Sequence, residues 1–195
     1  IMPFFSIITP TYNRPESLDR AIASVLKQTF TDFELIIVNN STERLQITFK
    51  DERIKIVTEK KNGANYARNK GIDNSSGEFI CFLDDDDEYL ENHLQVLFNL
   101  IQESKGKEAL YRTFTKRETS KNVFQDQFFV MQPQSETSME HIFTVLLVMH
   151  CVCCHKNILK KIKFDPSIPV AQDYQMWSRI LLTYPLIQTP FITTI

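Results

Sequence analysis

The run Phe79-Ile80-Cys81-Phe82-Leu83-Asp84-Asp85-Asp86-Asp87-Glu88-Tyr89 constrains this chain more than any other stretch. Its five consecutive apolar residues read as a strand buried on both faces, the kind found inside parallel sheets. Four aspartates follow without a break. Like charges crowded at a strand end repel one another, and a fold tolerates them with compensating cations or with full solvation. Hard divalent ions such as Mg²⁺ or Mn²⁺ take one or two carboxylates together with phosphate oxygens and water. The run alone also fits a solvated acidic turn. Its position at the carboxyl end of a buried strand, where open α/β sheets bind ligands, favours a site.

The rest of the first hundred residues is built in the same style. Residues 4–9 form an apolar strand, broken by Pro10-Thr11-Tyr12-Asn13-Arg14-Pro15, with Pro15 suited to the first turn of a helix. Leu18, Ile22, Val25 and Leu26 then recur at helical spacing. Residues 33–38 and 54–57 read as second and third strands. Asn62-Gly63 opens a helix bearing Ala64, Ala67 and Arg68 and closing near Gly71, its small alanines allowing close approach to a sheet. After the aspartates, Leu94, Val96, Leu97, Leu100 and Ile101 mark another helix. This alternation predicts a parallel sheet with helices on both faces. The loops holding Tyr12, Asn40 and the aspartates should gather on one edge of it.

The second half is less regular. Residues 109–115 and 123–130 read as strands on either side of a charged turn over 116–121. A helix is expected over 139–147 and a buried strand over 148–154. A short helix near Ile158 and a turn at Phe164-Asp165-Pro166 precede a helix entered through Gln172-Asp173, with Trp177, Ile180, Leu181 and Tyr184 on it. With 195 residues and neither a linker nor a repeat, one domain is expected.

A formal net charge of -2 gives no global pull towards nucleic acid or an anionic membrane. Only four glycines, with no Walker pattern and no G-x-G-x-x-G, argue against a glycine-rich phosphate loop. His150-Cys151-Val152-Cys153-Cys154-His155 invites a zinc reading. Neighbours on a strand point to opposite faces, however, so Cys153 and Cys154 are poorly placed to share one ion. Buried free thiols in a reducing compartment are the expectation. The chain enters its first strand almost at once, so no secretory signal is expected, and Ile1 ahead of Met2 reads as an added residue. No apolar stretch reaches the roughly 18 residues of a membrane span.

Five ordered stretches carry a resemblance. They are Ser6-Ile7-Ile8-Thr9-Pro10-Thr11-Tyr12-Asn13-Arg14, residues 21–30 ending Gln28-Thr29-Phe30, Asn62-Gly63 through Ala67-Arg68-Asn69-Lys70-Gly71, Phe82-Leu83-Asp84-Asp85-Asp86-Asp87, and Gln172-Asp173. Spread over roughly residues 4–185, they resemble the family 2 inverting glycosyltransferases of the GT-A fold. The resemblance implies an α/β fold with a mostly parallel central sheet and helices on both faces. It implies one catalytic domain over 1–195, with a nucleotide-sugar-binding half near 1–104 and an acceptor-binding half near 105–195. By the same resemblance Pro10, Thr11, Tyr12, Asn40, Arg68, Asp84 and Asp85 bind the nucleotide, and Asp86 holds Mn²⁺ or Mg²⁺ through a DXD motif. Asp173 is then the general base. The implied donor is a nucleoside-diphosphate sugar, with UDP favoured, and the acceptor a saccharide or a lipid-linked glycan. The implied setting is bacterial surface polysaccharide synthesis in the cytoplasm at the inner face of the membrane, with peripheral association and no nucleic acid polymer as partner.

Several residues carry a second, plainer reading. Arg68 also fits a structural ion pair, Tyr12 an ordinary rim residue, Asp173 a first-turn helix carboxylate, and Trp177 a core anchor. The family's Val-Asp-Asp-Gly-Ser is here Val38-Asn39-Asn40-Ser41, and Gln172 stands where Glu is usual. Asn40 keeps a carbonyl acceptor for a base N–H but lacks the charge that strengthens such a bond. The two changes leave an alternative, a nucleotide-sugar-binding protein with weak or no transfer. An aspartyl-phosphate phosphatase is disfavoured, because Glu88 stands where its signature wants Thr or Val. The chain stops at Ile195 soon after the Gln172 helix, so a C-terminally shortened catalytic core is expected.

Overall fold

The computed structural model describes residues 2–118, 123–125 and 148–195. The elements in order are β1 (Phe5–Thr11), α1 (Pro15–Leu26), β2 (Phe33–Asn39), β3 (Ile54–Thr58), α2 (Ala64–Asn74), β4 (Phe79–Phe82), α3 (His93–Glu103), β5 (Leu110–Glu118) and β6 (Val123–Gln125). A 3₁₀ turn (Met149–Cys151) then leads into β7 (Val152–His155), α4 (Lys156–Lys161), α5 (Gln172–Leu181) and β8 (Leu186–Thr194). The expected strand over 123–130 is strand at 123–125. Its remainder and the expected helix over 139–147 lie outside the described residues. The turn expected from residue 116 is strand through Glu118.

The sheet runs β3-β2-β1-β4-β7-β5-β6, with β8 beside β5. Its first four strands are parallel, as the alternating pattern predicts. β7 is antiparallel to both β4 and β5, so β5 again runs with β4, and β8 pairs parallel to β5. The apolar runs feed two cores by simple alternation. Ile7, Leu35, Ile37, Phe79 and Cys81 face α1 and α3, meeting Leu18, Ile22, Val25, Leu94 and Leu97. Ile8, Ile36, Val38, Ile80 and Phe82 face the other way, towards Ala67 of α2, Ile158 of α4 and Trp177 and Ile180 of α5. Trp177 is a core residue, 1% exposed. Cys153 and Cys154 fall in opposite cores as strand geometry requires, and burial pushes both thiols well above their ordinary range.

Two sequence expectations shift. The helix expected to close near Gly71 continues to Asn74, and Gly71 serves packing instead. A Cβ there would lie 2.3 Å from Ile8 Cγ2, so the missing side chain lets α2 sit directly on β1. The strand expected over 148–154 begins only at Val152, after the 3₁₀ turn. β8 is an element the periodicity did not reveal, because Pro190 interrupts it. In the structure Thr189-Pro190-Phe191 fall where the pairing with β5 shifts register, a place that accepts a residue without an N–H. The end of β8 clamps the chain just after the aspartates: Ile195 and Glu88 exchange backbone hydrogen bonds at 2.8 and 3.0 Å, and Leu90 N–H reaches Thr193 O at 2.8 Å.

The opposite end of the sheet is tied by Glu34. Its carboxylate accepts from Ser6 Oγ at 2.6 Å, from Ser76 N and Oγ at 2.6 and 2.7 Å, and from Lys55 Nζ at 2.5 Å. Burial by itself would raise this carboxyl, but the bonds from Lys55, Ser6 and Ser76 outweigh it and hold the pKa at about 2. The folded value lies below the ordinary 4.5, so this stability is present above pH 4.5 and is lost as pH falls towards 2. Glu34→Gln should cost about 1–3 kcal/mol near neutral pH. Its melting temperature should also fall less steeply than that of the wild type between pH 4.5 and 2. Parallel Tm–pH curves for the two proteins would assign the acid sensitivity to other groups.

Candidate active site

Every donor-side residue expected from the sequence lines one cavity of about 360 Å³ at the carboxyl ends of β1, β2 and β4: Pro10, Thr11, Tyr12, Asn40, Arg68, Asp84, Asp85 and Asp86. All but Arg68, which comes from α2, arrive from strand ends, because a parallel sheet turns its loops out at one edge. A second cavity of about 350 Å³ is lined by Asp173 with Met149, Pro169, Val170, Ala171 and Gln172. Arg68 and Asp84 line both cavities, so the two share a wall.

The four aspartates meet three basic partners, with Arg14 shared between Asp85 and Asp86. Asp84 takes both oxygens to Arg68 Nη2, at 2.8 and 3.0 Å. Asp85 is buried, accepting Thr11 Oγ1 at 2.7 Å on one oxygen and facing Arg14 Nη1 at 3.3 Å with the other. Burial raises the Asp85 carboxyl above its ordinary value, with Thr11 and Arg14 opposing the rise. Asp86 meets the same Arg14 nitrogen at 3.0 Å, and its side chain is 57% exposed. Asp87 lies 2.6 Å from His150 Nδ1, whose Nε2 is 3.0 Å from Thr115 Oγ1. The compensation that the sequence demands is thus supplied by two guanidinium groups, and Asp87 has the His150 imidazole as its partner. Sequence reasoning missed Arg14 and His150 in this role. Arg14 offered a signal, sitting in the β1–α1 loop on the same sheet edge, whereas nothing local marks His150.

Asn40 lines the cavity wall, but its amide is largely spent. Nδ2 donates to Glu59 O at 2.9 Å and Lys61 O at 2.7 Å, and Oδ1 accepts from Gly63 N at 2.8 Å. The side chain also braces the loop that feeds α2, and its Oδ1 has a second lone pair beyond the bond from Gly63 N. An aspartate here would forfeit both donated bonds. Tyr12 stands at the mouth, 54% exposed.

Arg68 is 6% exposed and reaches across the chain. Besides Asp84 it donates from Nη1 to Gln172 Oε1 at 2.8 Å, joining α2, the aspartate loop and the start of α5. That helix opens on Ala171 in the left-handed region (φ 51°) with no side-chain cap. Asp173 follows in the first turn, half-buried, accepting Tyr174 N–H at 2.8 Å. A first-turn carboxylate also sits favourably in the helix dipole. This structural role is compatible with a chemical one at the same position.

Among the described residues no three His, Cys, Asp or Glu side chains converge on a common point. The donor set still suits a hard cation of the Mg²⁺ or Mn²⁺ kind, because such ions accept one or two protein carboxylates and complete their shell with phosphate and water. Asp86 lines the cavity with its side chain 57% exposed, and its partner among the described residues is the exposed Arg14.

A doubly covered, mostly parallel sheet with a polar cavity and an aspartate loop at its strand ends defines the GT-A class of α/β glycosyltransferase folds. Residues 6–163 match the family model of glycosyl transferase family 2, and the chain belongs to that family. One relative is the GalNAc(5)-diNAcBac-PP-undecaprenol beta-1,3-glucosyltransferase of Campylobacter jejuni, 40% identical over 110 residues, covering 52% of this chain and 36% of the relative. In fold the chain is similar to Staphylococcus aureus TarS 1-349 in complex with UDP, with a TM-score of 0.77 at 22% identity, covering 97% of this chain and 59% of that one. It is also similar to the mannosyltransferase PcManGT of Pyrobaculum calidifontis in complex with GDP-Man and Mn²⁺, with a TM-score of 0.70 at 15% identity, covering 99% and 56%. The chain spans between 15% and 67% of the length of the curated relatives it matches.

Proposed function

We propose that this chain is the catalytic region of a glycosyltransferase that moves a sugar, with inversion, from a nucleoside-diphosphate donor to a saccharide or lipid-linked acceptor. The observation that carries this reading is the pair of cavities sharing the Arg68–Asp84 wall, with Asp85 and Asp86 in one and Asp173 in the other. Inversion needs an acceptor hydroxyl attacking the anomeric carbon in line with the departing diphosphate. Asp173 takes the hydroxyl proton as that oxygen attacks. Thr11 holds the buried Asp85 in place for the ribose, Tyr12 offers its ring to the base, and Arg68 keeps a fixed positive charge beside the phosphates. A Mn²⁺ or Mg²⁺ ion on Asp86 would supply charge neutralisation for the leaving diphosphate.

UDP is the favoured nucleotide, on the fold likeness to UDP-bound TarS, and lipid-linked acceptors follow from the name of the C. jejuni relative. No helix among the described residues is long and apolar enough to cross a membrane. Contact with a lipid-linked acceptor is proposed as peripheral, at the inner face. Gln172 does not favour the binding-protein alternative. It accepts the Arg68 hydrogen bond through Oε1, so its link to Arg68 needs no carboxylate.

The test is UDP binding measured by calorimetry with Mn²⁺ and with EDTA. Wild type should bind more tightly with Mn²⁺, and Asp86→Ala should lose that difference, at least tenfold in affinity. Equal UDP binding by both proteins in both buffers would remove the metal from this site.

A further inference from the structure

We infer that Arg14 is the resident counter-cation of the Asp85–Asp86 pair, and that it yields Asp86 to a divalent cation and turns to the diphosphate when the donor binds. This deepens the donor-site reading above and rests on it. Asn13, in the left-handed region at φ 52°, turns the chain after β1. Arg14 O then accepts the first α1 bond from Leu18 N at 3.0 Å, and the side chain reaches back over the strand end. One nitrogen, Nη1, serves both carboxylates, at 3.3 Å from Asp85 and 3.0 Å from Asp86.

The two contacts differ in permanence. Asp85 is buried, and its second oxygen is already taken by Thr11 at 2.7 Å. Asp86 and Arg14 each have side chains 57% exposed, and exposed pairs of this kind contribute little net stability. A divalent ion at the same carboxylate carries twice the charge and outcompetes the guanidinium. Arg14 lines the same cavity as Arg68, where a planar guanidinium matches phosphate oxygens well. Arg14 therefore opposes cation binding in the empty site and assists nucleotide binding in the filled one.

The two effects have opposite signs, and that separates them from a merely structural role. Mn²⁺ binding to nucleotide-free protein is read from the electron paramagnetic resonance of free Mn²⁺, and UDP affinity by calorimetry at saturating Mn²⁺. Arg14→Ala should bind Mn²⁺ alone about fivefold more tightly and UDP with Mn²⁺ about tenfold more weakly. Arg14→Lys keeps the charge and should stay near wild type for Mn²⁺ alone. Arg14→Ala moving both affinities in one direction, or neither, overturns the inference, as does a Lys variant that behaves like Ala. A wild type that binds neither Mn²⁺ nor UDP removes the donor-site reading, and this inference with it.

Discussion

Asp173→Asn is expected to lower sugar transfer by about 10²–10⁴-fold, the usual worth of a positioned general base, while leaving UDP affinity unchanged. The split follows from where Asp173 sits. It lines the second cavity and has no part in the wall around Asp85 and Asp86. A base is used only as the acceptor hydroxyl loses its proton, so its loss belongs to turnover and not to donor binding. Asparagine is the informative replacement because its carbonyl oxygen can still accept the Tyr174 N–H that Asp173 accepts now. The helix start is thereby kept and only the proton acceptor is removed. A donor–acceptor assay with near-normal transfer by this variant would place the base elsewhere. Near-normal transfer together with early melting, earlier still in Asp173→Ala, would show that the carboxylate serves the helix alone.

How much of this was readable from residues alone depends on the range of the interactions. The parallel half was legible because its strands are predominantly apolar runs closed by turn residues, and the helices between them repeat their apolar positions every three or four residues. The gathering of Tyr12, Asn40 and the aspartates at one edge follows from that topology. Roles set by contacts across long stretches of chain were not legible. That Asn40 also braces its loop through Glu59 O, Lys61 O and Gly63 N could not be read from its position in the sequence. Gln172 looks like a lost carboxylate until its partner is found 104 residues away in Arg68. β8 escaped for another reason: Pro190 and buried Thr189, Thr193 and Thr194 break the apolar pattern, and the strand exists because β5 offers it an edge. Local pattern reports burial and turn chemistry; it does not report which buried polar groups meet.

Arg68 is where those long-range contacts concentrate, and Arg68→Met should therefore damage stability and donor binding together. The Arg68 side chain is 7% exposed and that of its partner Asp84 30%, so the pair is partly desolvated. Removing one member of a fully buried pair costs about 3–5 kcal/mol, and the exposure of Asp84 reduces the expectation here to about 2–3. Methionine keeps the stem that packs near Phe164, whose ring lies 5.6 Å from the guanidinium carbon, so the loss is mostly one of charge and hydrogen bonds. Two consequences follow from the lost bonds. Asp84 is left beside Asp85 and Asp86 without its cation, which repels an incoming diphosphate and should weaken UDP binding by on the order of tenfold or more. Gln172 loses its anchor, so α5 and Asp173 are no longer tied to the aspartate loop. Arg68→Lys separates the two consequences, because one ammonium can neutralise Asp84 but lacks the planar fork that also reaches Gln172. Lysine should restore much of the UDP affinity while turnover stays low. Urea unfolding, UDP calorimetry and transfer rates on the three proteins decide the matter. A methionine variant with wild-type unfolding midpoint and wild-type UDP affinity would show that the Arg68 bridge neither holds the two cavities together nor serves the donor.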